Sequence, residues 1–142
     1  MRHVFALSLL FSATLGPTLA DADSLPAVLV CSFGDGRAAS QSEGKFQTAA
    51  AAPLAFEIGR IDFEAQTAEL VARAGAGPGG LRVVRALNAN HFIEVLHEGF
   101  LGLTTVYDKD EKAGSYPAVH SRHGGLFGQA VVAQYTGSCK AK

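Results

Sequence analysis

Along most of this chain, apolar and polar residues alternate in short runs, separated by glycine, proline, asparagine or charged clusters. That alternation marks half-buried β-strands. Val28 to Phe33 is the first such run, and Gly34-Asp35-Gly36 after it reads as a turn. Arg37 to Gly44 is small and polar and reads as a loop. Lys45 to Thr48 predicts a weak strand, closed by the alanines at 49–52 and by Pro53. Ala55 to Ile58 puts Phe56 and Ile58 on one face, whereas Ile61 and Phe63 have the opposite parity; the switch at Gly59-Arg60 predicts a bulge or break. Glu64 to Ala74 admits two readings. One is a helix closed by Gly75; the other is a turn at Ala65-Gln66-Thr67 followed by a strand through Val71. The neighbouring strands favour the second.

Gly75 to Gly80 reads as a flexible connection, Leu81 to Ala86 as a strand, and Asn88-Ala89-Asn90 as a turn. Phe92 to His97 and Phe100 to Tyr107 flank Glu98-Gly99 as a hairpin. Asp108 to Lys112 is a solvated charged loop. Tyr116 to His123 and Phe127 to Tyr135 flank Gly124-Gly125, and glycine tolerates the positive φ angles of a tight hairpin turn. Strands at this spacing predict an all-β fold: a single small antiparallel barrel or sandwich of about eight strands.

The first residues follow a different pattern. Arg2 and His3 form a short basic region, Val4 to Leu15 is a mainly apolar run, and Gly16-Pro17 breaks it. Small residues at Thr18 and Ala20, or Ala20 and Ala22, complete the layout of a secretory signal peptide. The apolar run is well short of the roughly 20 residues that a membrane-spanning helix needs. The expectation is a cleaved signal over 1–20, cut after Ala20 with Ala22 as the rival site. A single β domain over 21–142 would follow, periplasmic or secreted, with no membrane span.

Export changes the meaning of the two cysteines. Cys31 lies near the start of the mature chain and Cys139 near its end, and oxidising compartments preserve disulfides. One internal bridge, Cys31–Cys139, would tie the first strand to the last and protect edges that could recruit another chain. Two cysteines are too few for a thiolate metal site, and no Cys-x-x-Cys is present for redox work. Lys+Arg 12 against Asp+Glu 13 leaves a net charge of −1, which argues against a nucleic-acid partner.

Candidate chemistry is sparse. His91 and His97 share a strand face but sit ~20 Å apart at strand rise, too far for one metal. His120 and His123 point to opposite faces of a regular strand. Ser121 and His123 share a face but are ~6.6 Å apart along the strand, beyond hydrogen-bond reach. No Gly-x-Ser-x-Gly elbow is present. Glu94 and Glu98 give no glycosidase signal, because their spatial separation is not set by sequence. Asp108, Asp110 and Glu111 lack the glycine and terminal glutamate of a calcium loop. No cofactor or metal site is expected.

With Gly124-Gly125 as the loop, His123 would face Leu126, Ser121 would face Gly128, and Val119 would face Ala130. That face also carries Val132 and reads as core. The other face pairs Arg122 with Phe127 and His120 with Gln129. It would present His120, Arg122, Gln129 and Tyr135 together, a polar and aromatic mixture of the kind enriched at partner surfaces. These four are the candidate binding residues.

The signal segment, a cysteine on the first strand, the all-β middle and the Tyr135-x-Gly137-x-Cys139 ending resemble small uncharacterised periplasmic proteins of Gram-negative bacteria. The layout is also loosely similar to the periplasmic C-type lysozyme inhibitors, small β-barrels stapled by a disulfide. Their Ser-Gly-x-Lys/Arg-Tyr inhibitory loop is not found; Ala113-Gly114-Ser115-Tyr116 has no basic residue before the tyrosine, so no inhibitory residues carry over. The functional expectation is a non-enzymatic exported binding protein whose ligand is a protein or a small molecule. Its rivals are a metal-dependent or histidine-using hydrolase and a structural envelope component.

Overall fold

A computed structural model describes residues 25–73, 79–96, 99–126 and 128–142. The expected signal peptide, part of the 75–80 connection, His97, Glu98 and Phe127 lie outside the described residues. Nine strands follow in order: β1 (Val28–Ser42), β2 (Lys45–Ala50), β3 (Leu54–Asp62), β4 (Thr67–Arg73), β5 (Gly79–Arg85), β6 (Ala89–Val95), β7 (Leu101–Tyr107), β8 (Tyr116–Leu126) and β9 (Gln129–Ala141). Every pairing is antiparallel. β1 and β3 to β9 close into an eight-stranded barrel through the β1–β9 seam, and β2 is an extra strand on the outer half of β1. The barrel or sandwich expectation thus resolves to a barrel.

The core follows the period-2 pattern. Leu29, Cys31 and Phe33 point inward from β1, and Phe56 and Ile58 from β3. Ala68 and Leu70 do so from β4, Leu81 and Val83 from β5, Phe92 from β6 and Val106 from β7. Over 64–73, the described part of that segment, the strand reading holds against the helix; Ala74 lies outside the described residues. Asp62 Oδ1 accepts the Ala65 amide at 2.8 Å in the turn, and Ala68 and Leu70 alternate inward after it. The bulge at Gly59-Arg60 is also present: the β3–β4 register shifts there, and Arg60 has φ 49°.

Four expectations need correction. Gly34 is a bulge, not part of a turn. β1 passes through it, pairing Phe33 with Gly137 and then Asp35 with Thr136, so the supposed loop from Arg37 onward is strand. The turn lies at Glu43-Gly44, where both residues have positive φ (50° and 74°), as a two-residue primed hairpin turn requires. β2 and β3 then run back along the same edge of β1 in one unbroken register, from Ser42↔Lys45 to Val28↔Gly59.

Second, Gly79 and Gly80 are strand rather than connection, paired with Leu70 and Glu69. Third, the β5–β6 turn falls one step earlier than Asn88-Ala89-Asn90: the Ala86 amide donates to Ala89 O at 2.8 Å, and Ala89 already belongs to β6. Fourth, Gly124-Gly125 is mid-strand. β8 runs on to Leu126, which pairs with Gln129, and Gly128 with φ +80° belongs to the turn. The pairs are therefore His120↔Tyr135, Arg122↔Ala133 and His123↔Val132.

The seam is tightest at Cys31–Cys139. The cysteines are directly opposed partners, disulfide-bonded, with Cα atoms 4.0 Å apart. Close by, a Cβ on Gly137 would meet the Ser32 carbonyl oxygen and would lie 2.8 Å from Phe33 Cα. Both neighbours are backbone atoms and cannot swing away. Gly137→Ala is expected to cost about 1–3 kcal/mol by forced displacement of β1. Urea unfolding checks this; an unchanged midpoint would show that the seam adjusts freely.

Candidate functional site

The three long strands β1, β8 and β9 overshoot the barrel, and their inner faces continue past it as an open end. From the core outward, β8 contributes Ala118, His120 and Arg122, β9 contributes Cys139, Tyr135, Ala133 and Val131, and β1 contributes Gly36 and Ala38. Small residues in this region leave room for large ones. Tyr135 lies over Gly36, whose added Cβ would sit 2.5 Å from the ring, and the Phe100 ring occupies the space a side chain at Gly124 would fill.

His120 forms the floor. It is 2 % exposed, and its Nδ1 pairs with the Thr104 hydroxyl at 2.9 Å. Its ring packs among Phe33, Phe56 (edge-on, 5.3 Å between centroids) and Tyr135. Gly102 stands between two polar groups: a Cβ there would be 3.3 Å from a Glu94 carboxylate oxygen and 3.6 Å from His120 Cε1. Glu94 and Thr104 are both buried, so the interior at this level is polar and shaped.

Above that floor, Arg122 is half-buried beside a cleft of about 420 Å³. The other described lining residues are Ala38, Leu96, Phe100, Val131, Ala133 and Tyr135, so among the described residues Arg122 is the only charge in an apolar and aromatic wall. Its Nε is buried with no hydrogen-bond partner among the described residues. A buried donor of this kind costs free energy until something accepts from it. A wider groove of about 580 Å³ on the outer surface includes Arg60, Glu69 and Arg82. Its Arg60–Glu69 ion pair is already made at 2.9 Å, with the arginine side chain 77 % exposed.

The structure brings His120, Arg122 and Tyr135 together and leaves Gln129 apart. Gln129 is exposed at the start of β9, six residues from Tyr135, ~20 Å at strand rise. The expected facing is inverted. Val119, Ser121, His123 and Val132 point outward, and the His120–Arg122–Tyr135 face is the interior one. The physical cause is the disulfide. Cys139 must share the inner face with Cys31, and strand periodicity then carries Gly137, Tyr135 and, across the pair, His120 inward. Replacing His120 is therefore a core change. His120→Ala would empty a buried site and strip Thr104 of its partner, so it cannot be expected to leave stability unchanged.

Of the other candidates, His91 Nδ1 pairs with the Thr105 hydroxyl at 3.0 Å, and Ser121 and His123 lie in a shallow outer groove with Thr48 and Val132. Among the described residues, no three His, Cys, Asp or Glu side chains converge on a point where a metal could sit. No helix there is long and apolar enough to cross a membrane. Sequence reasoning missed Phe100, Leu96 and Glu94, which join the site only through the barrel's closure. No protein-family model, curated protein or solved structure matches this chain.

Proposed function

We propose that this is a non-enzymatic extracytoplasmic binding protein whose ligand enters the open end of the barrel. Its Cys31–Cys139 disulfide suits an oxidising compartment. The observation that carries the reading is Arg122: a buried guanidinium nitrogen with no partner among the described residues, set in a cleft whose other described lining is apolar and aromatic. Apolar pockets with a few placed polar groups are the usual form of small-ligand sites. A guanidinium in such a wall favours a small amphipathic anion. The acidic group would accept from Arg122, and the apolar body would lie against Phe100, Leu96 and Val131. Tyr135 adds a second polar edge, and His120 holds the floor rather than touching solvent.

The test is calorimetric titration of the disulfide-intact protein with monocarboxylates of stepped chain length, from hexanoate to dodecanoate, and with their methyl esters. Saturable binding of at least one acid and weak binding of its ester are expected. Arg122→Leu should weaken acid binding by about tenfold or more, since a hydrogen bond to a charged group is worth about 1.5–3 kcal/mol. No saturable binding across the series, or equal binding by Arg122→Leu, would remove the cleft from consideration.

A further inference from the structure

We propose that β2 is a self-pairing edge, through which two copies of this chain join their sheets about a two-fold axis at Thr48. One edge of β2 pairs with β1; all six of its residues are exposed. The amide of Ala51, next in register, donates to Gly36 O at 2.9 Å, so Ala51 points its backbone groups toward β1. Alternate residues along a strand direct those groups to the same side. Ala49 and Gln47 therefore also face β1, and Phe46, Thr48 and Ala50 turn their N–H and C=O outward, to an edge that no strand among the described residues covers. Unpaired strand edges of this kind recruit further strands.

The sequence of β2 specifies which strand. Its first half is bulky (Lys45, Phe46, Gln47), and its second half, with the residue after it, is small (Ala49, Ala50, Ala51). Only the antiparallel register centred on Thr48 pairs all three outward-facing residues of one copy with all three of the other: Phe46 with Ala50, Thr48 with Thr48, Ala50 with Phe46. That register makes about six interchain hydrogen bonds, two for each pair. It also sets every bulky side chain against a small one. Phe46, 57 % exposed in the single chain, would lie over Ala50 of the other copy. Gln47 meets Ala49, and Lys45, the only charge on the strand, meets Ala51, so no like charges oppose each other. Cross-strand threonine pairs add side-chain hydrogen bonding at the centre. A peptide of unrelated sequence would match the backbone but not this alternation of size about one point.

Sedimentation over a concentration series, with residue-resolved amide exchange, tests the proposal. Dimer should form as concentration rises. The amides of Phe46, Thr48 and Ala50 should become protected with it, whereas those of Gln47 and Ala49 should be protected at every concentration. Thr48→Pro removes an outward N–H and spares the bonds to β1, since proline is tolerated on a strand edge. Thr48→Lys places two like charges directly opposite each other at the axis. Each should weaken dimerisation by about tenfold or more, with an unchanged melting temperature at dilutions where both proteins are monomeric showing that the barrel stands. Monomer at all concentrations would overturn the proposal. So would dimer that survives both substitutions, or protection of the outward amides only on adding an unrelated extended peptide.

Discussion

Replacing Cys31 and Cys139 together by alanine is expected to lower the unfolding free energy by about 3–5 kcal/mol. The cysteines are 108 residues apart in sequence, so their bond closes a loop that spans nearly the whole domain. In the chain-entropy account a loop of about 100 residues restricts the unfolded chain by roughly 4.7 kcal/mol. Single domains have only about 5–15 kcal/mol in total, so the double variant should sit near the edge of folding. Alanine is the better replacement, because both sulfurs are fully buried and serine would add hydroxyls with no water to meet them. Urea unfolding of the two proteins measures the difference. A loss below about 1 kcal/mol would mean that the unfolded chain is already compact enough for the bond to restrict little.

Phe33→Ala should come close in size, at about 3–5 kcal/mol. Phe33 is fully buried and stacks on Phe56 with centroids 5.4 Å apart. It also forms one wall of the His120 pocket, at 5.9 Å. Few neighbours can collapse into the space, because Phe33 lies next to the Cys31–Cys139 staple and the Gly34 bulge, where the backbone is fixed on both sides. The informative control is Phe46→Ala. The same chemical change at an exposed residue of β2 should stay within about 0.5 kcal/mol in the monomer. Near-equal losses at the two positions would mean that Phe33 is not a core residue in solution.

The barrel could be read from the chain where one physical signal acted alone. Leu29, Cys31 and Phe33 alternate with exposed neighbours, and Ala68 and Leu70 do the same after their turn, so these strands were plain. Glycine carried two meanings. At Gly36 and Gly124 it makes space for the rings of Tyr135 and Phe100, which are far away in sequence, and it resembles a turn until those rings are placed. The inner face of β8 and β9 was hidden for a related reason. His120 and Arg122 are polar and Val119 and Val132 are apolar, so composition alone turns that sheet inside out. The correcting signal was present in the parity of Cys139 and Tyr135, once the disulfide is required to lie on the same side as Leu29 and Phe33. Leu96, Phe100 and Glu94 left no such trace, because only the barrel's closure brings them beside β8.

The bulge at Gly34 has a consequence for how this chain can change length. Below it, odd-numbered residues of β1 face inward; above it, Gly36 and Ala38 do. Pro53 stands opposite the bulge on the returning strand, where the inward parity changes as well, from Phe56 and Leu54 below to Ala51 above. One residue of surplus thus decides which side chains of the upper ribbon meet the cleft. Deleting Gly34 alone would send Arg37 and Ala39 inward and expel Ala38. Insertions and deletions above the bulge are therefore tolerable in even steps and ruinous in odd ones, a constraint on drift that acts on length rather than on any residue's identity.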